Sequence, residues 1–221
     1  MELFNKKKAS NQISDTIPAV KIQGDLERYK RMALELGADT AEVIPTHVIS
    51  IDERVRAKCQ IPNCIYFGTN LNCPPHAPDI DFMRKFINRY NYGVLFSVKG
   101  TTMDFIGKNR KRGVHENPAR LLLFQICAEI ESTAFYDGYH LTLALGTGPC
   151  KSFWCTNEPC SGIQPGAGCR FPLKARISLE ACGMDVFKLV SHYGWSIYPC
   201  GERVDPEKLP HIRLVGLALV C

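Results

Sequence analysis

The sequence predicts an α+β or α/β domain with mixed sheets, built from two pseudo-symmetric halves. Each half runs helix, strand, cysteine loop, helix and strand. Three observations support this prediction: two helix-period stretches that each end at a glycine, two cysteine segments with the same spacing, and a strand-like run after each segment. The chain has 221 residues, of which 45% are hydrophobic and 22% charged. This composition is typical of globular proteins and excludes a collagen-like or disordered chain.

The first half begins with a helix that we predict over residues 26–36, closed by Gly37. A β-rich run follows over residues 41–51, before the first cysteine segment. After that segment, residues 81–87 have the apolar spacing of a helix, and residues 94–98 have the composition of a strand.

The second half repeats this order. A helix is predicted over residues 118–137, closed by Gly138, and a strand over residues 139–145. After the second cysteine segment come a helix beginning at residue 186 and a strand over residues 195–198.

These elements divide the chain into four predicted segments. They are a flexible N-terminal arm (1–24), a first half with a three-cysteine loop (25–100), a basic linker loop (101–117) and a second half with a four-cysteine loop (118–221). A period of about 100 residues indicates two half-domains rather than a solenoid. We expect the two cysteine loops to face one another near the pseudo-twofold axis.

The cysteine content, 11 residues, is the most unusual feature of the composition. Secreted disulfide scaffolds are usually short and carry a signal peptide. Here the count is odd, and no apolar stretch follows the N-terminal lysines. The sequence therefore predicts a cytoplasmic protein with reduced thiols. Cys127 and Cys221 lie in apolar runs and are interpreted as buried core thiols.

The second loop has the stronger metal-site pattern. Cys155, Cys160 and Cys169 have four and then eight residues between them, and Cys150 adds a fourth thiol. Four clustered thiolates can surround one [4Fe-4S] cluster, and the glycines around them let backbone amides approach. Zinc is the alternative, although structural zinc sites usually pair their cysteines more closely. The loop aromatics are expected to shield the centres from solvent: Tyr66, Phe67, Phe153 and Trp154.

The first loop repeats the spacing with Cys59, Cys64 and Cys73, but the position that matches Cys150 is Arg54. Three interpretations remain open. In the first, one iron of a cluster is free to bind a small ligand, and Arg54 would orient an anionic ligand. In the second, the three thiols hold a single metal ion with water as the fourth ligand. In the third, a remote residue is the fourth ligand. The remote candidates are Cys182, Cys200 and His76.

The cysteine segments resemble an uncharacterised prokaryotic family of predicted metal-binding proteins, many of them from anaerobes. The motifs are Cys-x4-Cys-x8-Cys-Pro-Pro, Gly-Pro-Cys, and the run over residues 169–186. The resemblance covers about residues 25–200 and implies a cysteine-bound metal centre of the iron–sulfur type. The implied ligands are Cys59, Cys64, Cys73, Cys150, Cys155, Cys160 and Cys169.

The functional prediction is a cytoplasmic iron–sulfur redox protein with one or two [4Fe-4S] clusters. It would transfer electrons to a redox partner protein, or act on a small anionic substrate at an open iron; the alternative is a zinc-binding structural or interaction module. The net charge is +5, and the densest basic run, residues 108–112, is either a solvated loop or a docking site for an acidic partner. Weak interleaving of basic and aromatic residues argues against nucleic acid, and the apolar runs are too short for a membrane. The sequence predicts no oligomeric state.

Overall fold

The fold is a four-stranded sheet with helices on both faces. The computed structural model describes residues 13–14, 16–106, 117–201 and 203–221. Within these residues the helices are α1 (Ala19–Glu35), α2 (Glu53–Ala57), α3 (Ile80–Ile87), α4 (Pro118–Tyr136) and α5 (Val186–His192). The strands are β1 (Thr40–Pro45), β2 (Tyr92–Gly100), β3 (Leu143–Leu145) and β4 (Ile212–Leu219).

The strands follow the order β1-β2-β4-β3, and every neighbouring pair is antiparallel. The predicted α+β class is confirmed, but the expectation of mixed sheets is wrong. Among the described residues, the parallel contact that occurs is a single isolated bridge between Gly146 and Ser178. Strand direction depends on where each connection returns the chain to the sheet. The alternation of helix and strand patterns along a sequence does not encode this.

Two apolar cores lie on the two faces of the sheet. Because side chains alternate along a strand, β2 places Phe96 in one core and Leu95 in the other. The Phe96 core is covered by α1 and α4, which contribute Leu26 and Ile126. The Leu95 core is covered by α3 and α5, with Met83 among its buried residues. Each such side chain contributes about 1.5–3 kcal/mol through burial, and both cores contain residues from both predicted halves.

The helix predictions were accurate to within a few residues, except at the start of the chain. The α4 helix ends at Tyr136, and Gly138 follows with a φ of +105°. The α1 helix begins at Ala19, after Pro18, and so includes the last residues of the predicted N-terminal arm. The predicted strand over residues 139–145 is reduced to the three residues of β3.

The strand predicted over residues 195–198 is wrong. Trp195 and Ile197 instead pack against the Leu95 core, and the strand that follows α5 in the sheet is β4, further along the chain, which pairs with β2 and β3. Aromatic and β-branched residues suit a half-buried surface as well as a strand, so their composition was misleading here. Both halves still follow the order helix, strand, cysteine loop, helix, strand. The internal duplication itself stays a prediction.

Two further sequence predictions concern the outside of the molecule. In the part of the chain that the structure describes, no helix is both long and apolar enough to cross a bilayer. The basic run over residues 108–112, predicted as a solvated or docking loop, lies outside the described residues.

Candidate metal centre

The second cysteine loop, residues 147–177, is fixed at both ends. The Gly146 amide donates to the Ile177 carbonyl at 2.8 Å, and the Leu179 amide donates to the Gly146 carbonyl at 3.2 Å. Near the end of the loop, the buried Arg176 guanidinium forms an ion pair with Glu131 of α4 at 2.7 Å. A buried charge needs such a partner to offset its desolvation, so this pair holds the loop against α4.

All four cysteines of this loop line one cavity. Cys150, Cys155, Cys160 and Cys169 contribute to its wall, and its volume is about 180 Å³. Roughly 10–15 Å³ is enough to hold one water molecule. The space between the thiols therefore has room for a group of several atoms. Cys150 and Cys160 are buried, and the other two are half-buried.

Hydrogen-bond donors reach two of these sulfur atoms. The Asn72 side-chain amide donates to Cys150 Sγ at 3.4 Å, and the Phe171 backbone amide donates to Cys169 Sγ at 3.4 Å. Burial raises the pKa of Cys150 to about 12, although the Asn72 bond opposes this. Donors placed in this way stabilise thiolate and tune the properties of a bound metal centre.

Two cations brace the loop beside the cavity. Lys151 Nζ donates to the carbonyls of Cys155 and Glu158 at 2.8 and 2.6 Å, and Arg170 donates to the Pro159 carbonyl at 2.7 Å. Burial raises the pKa of the Cys155 thiol, and hydrogen bonding to Arg170 offsets part of that effect. Positive charge at these positions favours ionised thiols and balances an anionic metal centre.

An aromatic wall backs the cavity. Trp154 and Phe171 line it, with their ring centroids 5.6 Å apart. Phe153 lies behind them, 4.8 Å from Trp154 and 5.4 Å from Phe124. Trp154 Nε1 is buried without a hydrogen-bond partner among the described residues. A buried unpaired donor costs about 1–3 kcal/mol of stability. An acceptor such as sulfide in this cavity would remove that cost by accepting a hydrogen bond from Trp154.

The first cysteine loop begins at the short helix α2. The Cys59 amide donates to the Arg56 carbonyl at 2.9 Å, and the Cys64 amide donates to the Cys59 carbonyl at 3.0 Å. Cys59 and Cys64 are half-buried, and Cys73 is buried. Burial raises the pKa of Cys73, and the charges of Cys59 and Cys64 raise it further. The three thiols are therefore close enough to interact electrostatically.

Asn70 joins the two loops. Its side chain is fully buried, and its Oδ1 accepts from Cys150 Sγ at 3.7 Å and from the Asn72 amide at 3.2 Å. It also forms a hydrogen bond with the Cys73 thiol, which opposes the increase in pKa caused by burial. The charge of Cys160 contributes to that increase as well. The two loops thus face one another, as expected from the sequence.

Glu180 lies next to the first loop, and the sequence analysis missed it. It begins a 3-10 turn that contacts the start of α2, where the Asp52 amide donates to the Gly183 carbonyl at 2.8 Å. The Glu180 side chain is exposed, although desolvation by the surrounding protein raises the pKa of its carboxylate. Its charge also raises the pKa of Cys59. The one available signal was its position as an acid within the motif over residues 169–186.

Arg120, in the first turn of α4, was also missed. Its guanidinium donates to Ser152 Oγ at 2.9 Å and to the carbonyls of Pro149 and Thr147 at 3.2 and 3.4 Å. Burial lowers its pKa, and the charges of nearby groups, including Cys150, oppose this. An arginine within a helical pattern carries no sequence signal for such a position.

The comparison with protein families supports metal binding in general. Residues 42–220, more than half of the chain, match the family described as "Predicted metal-binding protein (DUF2284)". The chain belongs to this family. No curated protein and no solved structure matches it. The family description establishes a predicted metal-binding domain, as the resemblance in the sequence indicated. Among the described residues, no group of three or more Cys, His, Asp or Glu side chains is arranged to hold a single metal ion.

The remaining cysteines of this family member lie elsewhere. Cys127 is buried in α4 and donates to the Leu145 carbonyl at 3.5 Å, in agreement with its interpretation as a core thiol. Cys182 is fully buried in the Leu95 core, and burial raises its pKa to about 12. Cys200 and His76, the other remote ligand candidates, are both exposed.

The role suggested for Arg54 does not agree with its surroundings. Its side chain is 88% exposed and forms an ion pair with Asp52 at 2.6 Å. Its charge is thus already matched by a carboxylate at a solvent-exposed position. Arg120, in contrast, donates only to neutral oxygens and has no carboxylate within ion-pair distance among the described residues.

Proposed function

We propose that the protein is an iron–sulfur redox protein in which Cys150, Cys155, Cys160 and Cys169 hold a [4Fe-4S] cluster. The observation that carries the proposal is that these four thiols line one cavity with room for a group of several atoms. The buried, unpaired N–H of Trp154 supports it, since sulfide and thiolate are acceptors. When bound, such a cluster supplies electron transfer.

The chain's own residues would prepare the site for this role. The amides of Asn72 and Phe171 hold two sulfur atoms in place and stabilise their ionised form. Lys151 and Arg170 provide positive charge close to the thiols. The aromatic wall, with Phe153 only 1% exposed, limits access of water from that side. Limited solvent access affects both the reduction potential and the stability of a cluster.

We infer a centre of the same type in the first loop (the first centre), at Cys59, Cys64 and Cys73 with Glu180 as the fourth ligand; the four-thiol site is the second centre. The electrostatic interaction between Glu180 and Cys59, and the contact of its turn with α2, support this assignment. A carboxylate is a harder ligand than a thiolate and holds cluster iron less tightly. A small substrate would therefore displace Glu180 and bind the iron that this carboxylate holds.

The closeness of the two loops supports transfer of electrons between the two centres. Cys73 of the first loop interacts electrostatically with Cys160, and Cys150 interacts with Cys73. The second centre, with its complete thiol set, would exchange electrons with a redox partner protein. The first would be the reactive centre.

The test is metal analysis after anaerobic purification. We expect a brown protein with about four irons and four sulfides for each cluster. Cys155→Ala should lose about half of the iron, whereas Cys127→Ala, which removes a buried core thiol, should keep all of it. A colourless protein with bound zinc would establish the alternative, a structural or interaction module without a redox role. Full iron retention in Cys155→Ala would overturn the ligand assignment.

A further inference from the structure

A second cavity, of about 220 Å³, opens beside the cysteine loops. Arg120 and Asn117 from the start of α4 line it, together with Thr147 and Ser152 from the second loop and Tyr66 from the first. The cavity is therefore bordered by both cysteine loops and by the N-terminal end of a 19-residue helix. It is distinct from the cavity that the four thiols line.

Arg120 brings an unneutralised charge to this cavity. Its guanidinium donates to three neutral oxygens, and no carboxylate among the described residues lies within ion-pair distance of it. Asp104 also lines the cavity, and it has an interaction of its own. A half-buried arginine whose partners are all neutral still needs an anion to compensate its charge.

The guanidinium is held in place before any ligand binds. It lies over the Phe153 ring, with Cζ 5.5 Å from the ring centroid. Gly148 lies against it with a φ of +60°, and a Cβ at that position would collide with Arg120 Nη2. A fixed guanidinium loses little freedom when it binds a planar or tetrahedral oxyanion.

The start of α4 adds to the positive potential. Asn117 caps the helix, and its Oδ1 accepts from the Arg120 amide at 3.0 Å. The partial positive charge at a helix N-terminus favours an anion within the first turn. The hydroxyl groups of Tyr66 and Thr147 on the cavity wall provide further donors.

From these observations we propose that this cavity binds a small oxyanion, a carboxylate or a phosphate, with Arg120 as the principal binding residue. Since the charges of Arg120 and Cys150 interact, the bound anion would lie beside the second metal centre. This inference goes beyond the proposed function and does not depend on which metal the thiols hold.

The test is isothermal titration calorimetry of the metal-loaded protein with inorganic phosphate and, separately, with malonate. We expect one site per chain for at least one of these anions, and weaker binding at higher salt. Arg120→Gln should weaken binding at least tenfold. The matched control is Arg54→Gln, which removes an exposed arginine already paired with Asp52 and should leave binding unchanged. Comparison of phosphate with malonate identifies which oxyanion chemistry the site prefers.

A second variant covers the case in which Arg120→Gln fails to fold, as circular dichroism would show. Thr147→Glu leaves Arg120 intact and places a carboxylate on the cavity wall, so it should abolish binding by occupying the guanidinium. The proposal is overturned if neither anion binds the wild type at millimolar concentration, or if both variants bind as the wild type does. Metal analysis of the same sample is a separate result. A zinc protein that binds the anion would refute the iron–sulfur proposal and leave this one standing.

Discussion

The two cysteine loops share the spacing of three cysteines, yet their surroundings differ. The second loop has four thiols around one cavity, is tied at both ends, and is backed by an aromatic wall. The first loop starts from α2, a helix of five residues with no buried side chain. The turn beginning at Glu180, from the second half of the chain, packs against this helix. Equal spacing thus specifies three cysteine ligands in each loop. The residues that surround and support each loop come from other parts of the fold.

The difference suggests different tasks for the two loops. A complete thiol set in a closed setting is suited to passing electrons. An incomplete thiol set beside an exposed carboxylate is suited to exchanging a ligand. The predictions below test this contrast, in order of the size of the expected effect.

Removal of one thiol should cost more in the second loop than in the first. Cys155→Ala is expected to abolish the second centre and lower the melting temperature more than Cys64→Ala does. Metal binding is coupled to folding, and more of the structure packs around the thiol-lined cavity of the second loop than around the first loop. Iron content and thermal unfolding of both variants check this. A larger loss of stability in Cys64→Ala would reverse the contrast.

Gly183 holds the turn that follows Glu180. Its φ is +81°, and a Cβ there would collide with Ile80 Cδ1. Gly183→Ala should therefore cost roughly 2–5 kcal/mol of unfolding free energy, from both backbone strain and overpacking. Gly194 is the matched control, because its φ is +70° and nothing lies within 4 Å of its added Cβ. Gly194→Ala should cost only roughly 1–2 kcal/mol.

Urea unfolding measures the unfolding free energy of both glycine variants. Electron paramagnetic resonance of the reduced protein reports on the two centres. We expect Gly183→Ala to change the signal of the first centre alone. Equal costs for the two variants would mean that the turn is not tightly packed against Ile80.

Asn70 contributes to both loops, so its loss should affect both. Asn70→Ala removes a fully buried amide and leaves the Asn72 N–H without its side-chain acceptor. We expect Asn70→Ala to lose roughly 1–3 kcal/mol of unfolding free energy. We also expect the paramagnetic resonance signals of both centres to change. Asn72→Ala, the control, removes a half-buried donor to Cys150 and should cost about 1 kcal/mol, with a change at the second centre only. A change confined to one centre in Asn70→Ala would show that the loops are not coupled through this residue.

Glu180→Gln should have the smallest effect on stability, within about 0.5 kcal/mol for an exposed side chain, and a selective effect on the first centre. Cyanide added to the reduced wild type should alter one of two resonance signals, and Glu180→Gln should alter that same signal without cyanide. Glu53→Gln is the control, because Glu53 lies at the start of α2 but forms an ion pair with Arg84.

Two cysteine variants distinguish the Glu180 assignment from a remote thiol ligand. Cys182→Ala and Cys200→Ala should leave the cyanide response unchanged. If the response appears only after one of these substitutions, that thiol is the fourth ligand and the protein transfers electrons without an open site.

Local sequence patterns predicted much of the helical structure. The α4 helix was placed correctly because Pro118 marks its start and Gly138 its end, and both signals act within one turn. The grouping of Cys150 with Cys155, Cys160 and Cys169 was also predicted from their closeness in the sequence, and the four thiols line one cavity.

What the sequence alone determined is therefore most of the helices, the α+β class and the cysteines that each loop carries. The tertiary structure decided the antiparallel sheet, the use of β4 rather than residues 195–198, and the positions of Glu180 and Arg120. Glu180 reaches the first loop because an amide of Asp52 pairs with the carbonyl of Gly183, 131 positions away along the chain. Such contacts depend on how the folded chain brings distant segments together. Helical and strand periodicities describe only residues that are close in the sequence, so they do not predict these contacts.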